Sequence, residues 1–505
     1  MSDGLDISGG ATGMAAALAD VRRHAGLLGA AADDLLGIGR DIAAVAVAAD
    51  LGEAALLCPD VVAEVEQRLT AATLSPAEGV LVVGSELGVL GSAAAWCAQT
   101  YERVDAEVAA SLDHAVHVGG FAAGWAAPLA LAPLVAALSA AVAAEPRLGH
   151  LLARYAASGA ASDDLDSLLA THPFLLDALL RAAPWLVEGA AVQGAGAAGI
   201  TGPVLLRQLT GGRWVSGRYE EIVGGLGEVA RLSGRLTDSG RFAVATTPTA
   251  VSPPVRLDPS APVGGLLRHQ AWMDSWFPDD TPPGQTAAKA AAGQIAIVTV
   301  TADNGSRTYV IHVPGTETWD PCRGNNPIDL TTNVELMAQH EAQMTGLVAA
   351  AIRTHVPAGA PVLLVGHSQG GITAASVAAD PALRTAFEIR GVVTVGSPIA
   401  RFPLDPATSV LSIEHTQDVV PLLDGAANPD QPGWVTVRRD LTQAGGVIGC
   451  TAQTLAGSHD LTAYQATALA VDASDDPALV AWREANAVFF TGTAQARQYA
   501  IEPVS

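Results

Sequence analysis

Ser368 is the residue whose surroundings indicate nucleophilic chemistry most directly. It lies in Gly366-His-Ser-Gln-Gly370, the Gly-x-Ser-x-Gly pattern of a nucleophile elbow, in which small residues let a strand and a helix pass closely while the serine is exposed. A serine hydroxyl is a weak nucleophile and needs a base within hydrogen-bond reach, itself oriented by a carboxylate. Since the elbow pattern occurs with these groups in the chain order Ser, acid, His, the partners of Ser368 are expected downstream.

The base is expected at His459. Only two histidines follow Ser368, and His459 lies in a loop that enters a helix, as a mobile base should. The other, His415, ends a predicted strand and precedes the best acid, so it cannot close the series in the required order. The alternative interpretation of His459 is a surface histidine near a helix start.

The acid is expected at Asp418. This residue comes just past the C-terminal end of a predicted strand, where the binding and catalytic groups of parallel sheets collect. Asp424 lies farther along and is the main rival. Asp405 lies before the same strand and Asp430 beyond it, so both fit the position less well.

An oxyanion hole requires two backbone N–H groups directed at the charge that develops on the carbonyl oxygen. The N–H of Gln369, the residue after the nucleophile, is the first candidate. The second should come from the loop that follows an early strand. There Gly315 permits a close approach, which makes the N–H of Thr316 the second candidate.

The elements around these residues alternate between apolar strands and helices. Asp303-Asn304-Gly305 is a strong hairpin signal between the first two strands, so the sheet opens antiparallel and continues in parallel. We therefore predict an α/β fold with a mainly parallel sheet for residues 266–505. Its predicted strands are 295–301, 307–313, 362–365, 391–395, 410–414 and 434–438, and its predicted helices are 333–355, 372–379 and 477–489.

Helical periodicity dominates the preceding part of the chain. We predict an all-α domain of unknown role over residues 1–240, with its last helix at 219–236 and no catalytic constellation. Residues 241–265 are rich in Pro and Thr, which predicts an extended linker or a strap over the next domain, followed by a helix at 266–276.

Residues 118–144 carry no charged side chain and are long enough to span a bilayer. Pro128 and Pro133 interrupt this stretch, which favours a buried, proline-broken helix pair, with membrane insertion as the alternative. Residues 189–206 are also uncharged but rich in glycine, which indicates a loop and helix against the same core.

The composition limits the classes of partner. A net charge of −24 argues against nucleic acid, since phosphate binding needs a basic face. None of the four cysteines forms a C-x-x-C pair, so neither a zinc motif nor a redox motif is expected. The acidic start Met-Ser-Asp-Gly-Leu-Asp differs from a Sec-type signal peptide.

Taken together, these motifs resemble the α/β-hydrolase superfamily, in a layout similar to its class 3 lipase-like branch. The resemblance covers roughly residues 290–500. It rests on Pro314-Gly-Thr316, Asn326-Pro-Ile-Asp-Leu330, the elbow, Gly396-Ser-Pro398, Asp418-Val-Val-Pro421 and Ser458-His459. It implies hydrolysis of a carboxylic ester through an acyl-enzyme, with no metal and no organic cofactor. Gly-Thr-Glu-Thr stands where that branch commonly has Arg-Gly-Thr or Arg-Gly-Ser, so a lipase substrate preference does not carry over.

The four cysteines divide evenly between the two halves of the chain, which permits one disulfide in each. Cys322 follows the proposed oxyanion loop and Cys450 precedes the His459 loop, and in the implied fold these two loops meet at the top of the sheet. We therefore predict that these two cysteines lie close together and form a disulfide. Cys58 and Cys97 are the pair available in the first half, and free thiols are the alternative for both pairs.

A second resemblance concerns the N-terminal half. Tyr101-x-x-x-Asp105, after a predicted helical hairpin, resembles the export signal of actinobacterial type VII secretion substrates. An exposed tyrosine with a polar residue one turn later is the alternative. The leading expectation for the whole chain is thus a serine esterase that acts on a small-molecule or lipid ester, secreted or on the cell surface, with a cytoplasmic location as the alternative. The competing expectation is an exported or membrane-engaging protein whose N-terminal helices contact a membrane or the secretion machinery.

Overall fold

The computed structural model describes residues 4–46, 49–75, 78–144, 185, 188–189, 218–232, 236, 240–248, 250–251, 255, 258–274, 293–317, 326–339, 342–443 and 455–504. The chain divides into two compact units. One comprises Met14–Asp113, and the other comprises Met1–Gly13 together with His114–Ser505. The predicted boundary at residue 240 therefore differs from the observed division.

The smaller unit consists of long helices packed side by side. Its helices are Met14–Ala46, Ala49–Leu57, Pro59–Leu74 and the first part of Val80–Ala144. The first and the last of these helices approach each other closely. A Cβ on Gly84 would meet Ala32 O, and a Cβ on Gly91 would meet Ala25 O. Small residues at these crossings let the two backbones form a hairpin, as predicted from the sequence.

Among the described residues of the larger unit, ten strands form one sheet. They are β1 (Leu5–Gly9), β2 (Phe242–Val244), β3 (Ala250–Val251), β4 (Gln294–Thr301), β5 (Arg307–Val313), β6 (Pro361–His367), β7 (Glu388–Val395), β8 (Ser409–His415), β9 (Trp434–Arg439) and β10 (Thr493–Pro503). The order is β1-β9-β8-β7-β6-β5-β4-β10-β2, and β3 also pairs with β10. Strands β5 to β9 are parallel, whereas the pairs at both ends are antiparallel. The predicted α/β content, with parallel strands at the centre of the sheet, is confirmed.

Both faces of the central strands are covered by helices, which explains their nearly continuous apolar sequence. Along β6, Leu363 and Val365 belong to one core cluster, whereas Val362 and Leu364 belong to another on the opposite face. The helices Pro262–Asp274, Leu461–Ala473 and Pro477–Ala485 cover the first face, and Gln343–His355 and Gln369–Ala379 cover the second.

Two predicted helices differ from the observed ones, and the Pro- and Thr-rich segment takes one of its two predicted forms. The predicted helix 333–355 is two helices, Leu330–Met337 and Gln343–His355, and the carboxylate of Asp329 caps the first by accepting from Thr332 N. The predicted linker is a strap, since β2 and β3 within it pair with β10. The helix after it is Pro262–Asp274, so it begins four residues earlier than predicted.

The prediction of a proline-broken helix pair at residues 118–144 is wrong, because the backbone there is not broken into two helices. One helix, Val80–Ala144, continues through Pro128 and Pro133. The side chains beyond residue 123 lie outside the described residues, as does the stretch 189–206 apart from residue 189. The helix predicted at 219–236 is observed as Tyr219–Leu232.

The cysteine predictions have different outcomes. Cys58 and Cys97 are exposed free thiols in the described part of the chain, so the disulfide considered for this pair is absent there. Cys322 and Cys450 lie outside the described residues. Their predicted disulfide therefore stays a prediction.

Candidate active site

Strand β6 and the helix Gln369–Ala379 meet in a sharp turn at Ser368. The backbone of Ser368 has φ 53° and ψ −123°, a conformation that non-glycine residues rarely adopt. Ser368 N donates to Val395 O of β7 at 2.9 Å, and Gly371 N donates to Ser368 O at 3.0 Å. Ser368 lies at the C-terminal end of the parallel strands, where predicted, but only 5 % of the residue is exposed, whereas the elbow pattern predicts an exposed serine.

The two flanking glycines are required by the close approach of backbones. A Cβ on Gly366 would collide with the backbone of Gly370, and a Cβ on Gly370 would collide with the carbonyl of Val313. The second contact shows that the chain after β5 lies directly against the elbow. The Gly-x-Ser-x-Gly pattern therefore has the structural context that was predicted for it.

The structure brings the predicted acid and base together. His459 Nδ1 lies 2.7 Å from Asp418 Oδ2, although the two residues are 41 positions apart in the chain. Asp418 follows β8 and is fully buried, and His459 follows the short helix Leu455–Ser458. With its Nδ1–H donated to the carboxylate, the neutral imidazole keeps Nε2 as the acceptor.

Asp418 is held in its ionised form by its neighbours. Tyr464 OH donates to Asp418 Oδ2 at 2.6 Å, and Val420 N donates to Asp418 Oδ1 at 2.9 Å. Burial alone would raise the pKa of this carboxyl group, but the attraction to His459 when its ring is protonated, together with the hydrogen bonds from His459, Tyr464 and Val420, outweighs burial. They hold the pKa of Asp418 below its ordinary value of 3.8.

Tyr464 was not predicted from the sequence as part of the site. Burial and the Asp418 carboxylate raise its pKa well above the ordinary value, so the phenol remains a proton donor. The Tyr464 oxygen also accepts from His415 N at 3.2 Å. Nothing in the sequence near residue 464 distinguishes it from an ordinary core tyrosine.

Gly396 provides the space in which the acid and the base meet. Its φ is +58°, and a Cβ at this position would lie 3.0 Å from Asp418 Oδ2 and 3.1 Å from His459 Nδ1. A larger residue would therefore be strained in its backbone and would press on both members of the pair. This explains the glycine in Gly396-Ser-Pro398, directly after β7.

His459 lies beside the elbow. Its ring is 4.7 Å from the ring of His367, measured between centroids, and His367 immediately precedes Ser368. Within the described part of the chain, the Ser368 hydroxyl makes no hydrogen bond to His459 Nε2. Hydrogen bonds between nucleophile and base are often long without substrate and tighten in the reacting complex.

The rival residues have structural roles instead. His415 is buried and stacked on Tyr464, and its two nitrogens contact Ser458 O at 2.7 Å and Thr467 Oγ1 at 2.8 Å. Asp424 accepts from Ala400 N and Ala426 N, and burial raises its pKa to about 7. Asp405 forms a surface ion pair with Arg384.

The two expected oxyanion donors come from the elbow and from the chain after β5, which lies against it. Gln369 N is the first N–H of its helix, a position without an intrahelical acceptor and favourable for negative charge. Thr316 N belongs to the segment 314–317, which we call the oxyanion loop. Among the described contacts neither N–H has an acceptor. The Thr316 hydroxyl accepts from Asn333 Nδ2 at 3.0 Å, which holds the loop against the helix Leu330–Met337.

A second carboxylate and imidazole adjoin the site and were also missed. Asp274 Oδ2 lies 3.0 Å from His367 Nδ1, and Asp274 Oδ1 accepts from Gly315 N at 3.2 Å. His367 Nε2 lies 3.2 Å from His459 O. Asp274 is the last residue of a helix about 90 positions before the elbow, so local patterns carry no sign of this contact.

No group of His, Cys, Asp and Glu side chains within the described ranges could hold a metal ion. Comparisons of the chain with protein-family models, with curated proteins and with solved structures found no match. The interpretation of the site therefore rests on its residues and their geometry.

Proposed function

We propose that the chain is a serine hydrolase that cleaves carboxylic esters through an acyl-enzyme on Ser368. The observation that carries the proposal is the 2.7 Å contact of His459 with Asp418 beside a serine in a strained strand–helix turn. A nucleophile, a base and an orienting acid are recognised by such geometry and roles rather than by position in the chain. The proposal assigns the larger unit to the α/β-hydrolase superfamily, which its motifs resemble.

In the first half of the reaction Ser368 Oγ attacks the ester carbonyl carbon and passes its proton to His459 Nε2. Asp418 stabilises the imidazolium that results, without taking up the proton. The carbonyl oxygen becomes an oxyanion and accepts hydrogen bonds from Gln369 N and Thr316 N. The carbon–oxygen bond to the alcohol then breaks, and His459 returns the proton to the leaving alkoxide.

In the second half a water molecule releases the acyl group. His459 Nε2 takes a proton from the water as its oxygen attacks the acyl carbon, and the same two N–H groups hold the second oxyanion. The bond to Ser368 Oγ breaks, the imidazolium reprotonates the serine, and a carboxylic acid leaves. No step requires a redox partner.

A panel of p-nitrophenyl esters of different acyl chain length tests the proposal. We expect hydrolysis by the wild type and losses of three or more orders of magnitude in kcat for Ser368→Ala and His459→Ala, since members of such a unit fail together. Asp418→Asn should lower kcat by a somewhat smaller factor.

Matched controls are available on neighbouring elements. Ser376→Ala lies on the same helix as the elbow, where its hydroxyl accepts from Thr345, and His355→Ala removes a histidine stacked on Tyr499. Both controls should keep wild-type turnover. Full turnover by Ser368→Ala would contradict the proposed chemistry.

Membrane engagement by the smaller unit is a second candidate function. One described helix segment, Val80–Val108, is long and apolar enough to cross a membrane, and only 11 % of its most apolar window is buried. Leu90 and Trp96 are among its exposed apolar side chains. We propose that this surface contacts a lipid bilayer in an exported or cell-surface protein.

Flotation of the full chain with liposomes tests the membrane proposal. Val89→Glu and Leu90→Glu together should reduce the fraction that floats, because they place charge on the apolar helix. Leu469→Glu changes a comparably exposed leucine in the larger unit and should leave flotation unchanged. Wild-type chain that stays with the soluble fraction would rule out this function.

A further inference from the structure

The contacts of His367 require hydrogen at both ring nitrogens, whereas a neutral imidazole carries hydrogen at only one of them. Its Nε2 faces the carbonyl oxygen of His459, which can only accept a hydrogen bond, so Nε2 must carry hydrogen. Its Nδ1 faces Asp274 Oδ2, and a hydrogen must also lie on that line. A neutral imidazole has a single N–H and could satisfy only one of these two contacts.

The orientation of Gln270 shows that Asp274 accepts hydrogen bonds at its other oxygen. Gln270 Nε2 donates to Val313 O at 2.8 Å, and a carbonyl cannot donate, so this atom is the amide nitrogen. The same nitrogen donates to Asp274 Oδ1 at 3.2 Å, as does Gly315 N. Two donors at Oδ1 stabilise the negative charge of a carboxylate, and an imidazole is ordinarily the stronger base of the two groups, so the shared proton lies toward His367.

These hydrogen bonds form a network from His367 through Asp274 and Gln270 to His312, and His312 at its far end is uncharged. Gln270 Oε1 accepts from His312 Nδ1 at 3.1 Å. Burial lowers the pKa of His312 well below its ordinary value, and His269 opposes its charge further. Since His312 stays uncharged, the charge of the network lies at its Asp274 end.

These contacts connect three segments of the proposed active site. Asp274 holds Gly315, the residue before the second oxyanion donor, and His367 is the residue before Ser368. The third contact reaches the backbone of His459. With Asp274 and His367 only 11 % and 12 % exposed, water competes weakly for these hydrogen bonds.

We propose that Asp274 and His367 form a second carboxylate–imidazole pair, which retains an extra proton and positions the oxyanion loop and the His459 backbone for the reaction. The inference rests on the proposed function, because it assigns a role in that same site. Neither residue exchanges a proton with substrate. Both are positioning residues.

The proposed role requires both charges of the Asp274–His367 pair, the carboxylate and the imidazolium. The titratable groups that face His367 are Asp274, the His459 ring at 4.7 Å and the Tyr464 ring at 6.2 Å, with Asp418 behind His459. Glu317 faces Asp274 from the oxyanion loop. An imidazolium without Asp274 would oppose the positive charge that His459 acquires in the transition state, whereas the complete pair is neutral overall.

Nitrogen-15 spectra of histidine-labelled Ser368→Ala protein test the proton count independently of activity. We expect both ring nitrogens of His367 to be protonated at neutral pH, and the signals to be assigned by their loss in His367→Gln. A spectrum with one protonated and one bare nitrogen on His367 would overturn the proposal.

Ester kinetics of Asp274→Asn, His367→Gln and the double variant test the positioning role. We expect kcat to fall roughly 10- to 100-fold with KM nearly unchanged, because a displacement of about 1 Å costs that much. The pH profile of kcat should also change, and the double variant should be no slower than the slower single variant. Asp405→Asn, which breaks a surface ion pair, is the control that keeps wild-type values.

The outcomes separate this inference from the proposed function. If the wild type hydrolyses esters and Asp274→Asn matches its kcat and pH profile, the positioning role is overturned while the esterase stands. If the wild type hydrolyses no ester, the proposed function fails, and the positioning role fails with it. The nitrogen signals still decide whether the pair holds its proton.

Discussion

Ser368 adopts a backbone conformation that costs a non-glycine residue on the order of 1–3 kcal/mol. It persists because the surrounding hydrogen bonds fix both sides of the turn, one to β7 and one within the first turn of the helix. The conformation places Ser368 in the turn between β6 and the helix, and it leaves Gln369 N at the start of that helix. The strain is thus part of the geometry on which the proposed reaction depends.

The strain at Ser368 can be measured with two variants that both lack the hydroxyl. We expect Ser368→Gly to have a free energy of unfolding about 1 kcal/mol larger than that of Ser368→Ala, because glycine adopts a positive φ without steric penalty. Urea denaturation of both variants measures the difference. The same pair of substitutions at Ser376, inside the helix, should give the opposite sign. An Ala variant as stable as the Gly variant at position 368 would show that the turn is unstrained.

The carboxyl group of Glu317 makes the free energy of unfolding depend on pH. Burial raises its pKa from 4.5 to about 7, against the hydrogen bonds from Asn326 Nδ2 and Gly293 N. Between these two pH values the folded chain holds a proton that the unfolded chain releases, so stability falls as pH rises and levels off above about 7.

We expect Glu317→Gln to become more stable than the wild type as pH rises from 5 to 8, by at most about 3 kcal/mol. The glutamine oxygen can accept both hydrogen bonds without becoming charged. Urea denaturation at pH 5, 6, 7 and 8 measures the difference. A difference that is constant over this range would contradict the assigned burial cost.

The elements place residues from distant parts of the sequence at one sheet edge. The turns after β5, β6, β7 and β8 supply Thr316, Ser368, Gly396 and Asp418, because the carboxyl ends of parallel strands meet there. This rule, with the chain order of the elbow pattern, is why Ser368, Asp418 and His459 could be predicted together. Asp274 and Tyr464 could not be predicted, because their roles arise from helices packed across the sheet rather than from local patterns.

Gly396 tests whether the turn after β7 must be this narrow. We expect Gly396→Ala to lower kcat roughly 100-fold, because its Cβ would press on Asp418 and His459. Gly305→Ala is the matched control, since Gly305 also has a positive φ, +81°, but faces open space. Both variants should lose about 1 kcal/mol of stability, and only the first should lose turnover in the ester assay. Equal turnover by the two variants would show that the contact is unimportant.

At the scale of the whole molecule, the start of the chain completes the sheet of the larger unit. Strand β1 pairs with β9 across more than 400 residues, and Gly10 N donates to Gln431 O at 3.0 Å. The alternation in Leu5-Asp-Ile-Ser-Gly9 is too short to indicate a strand by itself, and its partner is distant. The sequence therefore predicted β4 to β9 but missed β1, β2, β3 and β10, whose pairing depends on long-range closure.

The contribution of β1 can be measured at Ile7, which packs on the core cluster of β9. We expect Ile7→Ala to lower the free energy of unfolding by about 1–2 kcal/mol, less than for a fully buried isoleucine. Ser8→Ala, on the exposed side of the same strand, should change it by less than about 0.5 kcal/mol. Equal effects of the two substitutions would indicate that β1 does not pack on the sheet in solution.

Reaction with a fluorophosphonate probe, followed by mass spectrometry of the labelled peptide, tests the central claim most directly. The probe forms a covalent bond only with a serine activated by its neighbours, and it requires no knowledge of the natural ester. We predict one label per chain, on Ser368, that is absent in Ser368→Ala and forms far more slowly in His459→Ala. A wild-type chain that remains unlabelled, or that is labelled at another serine, would contradict the assignment of Ser368 as the nucleophile.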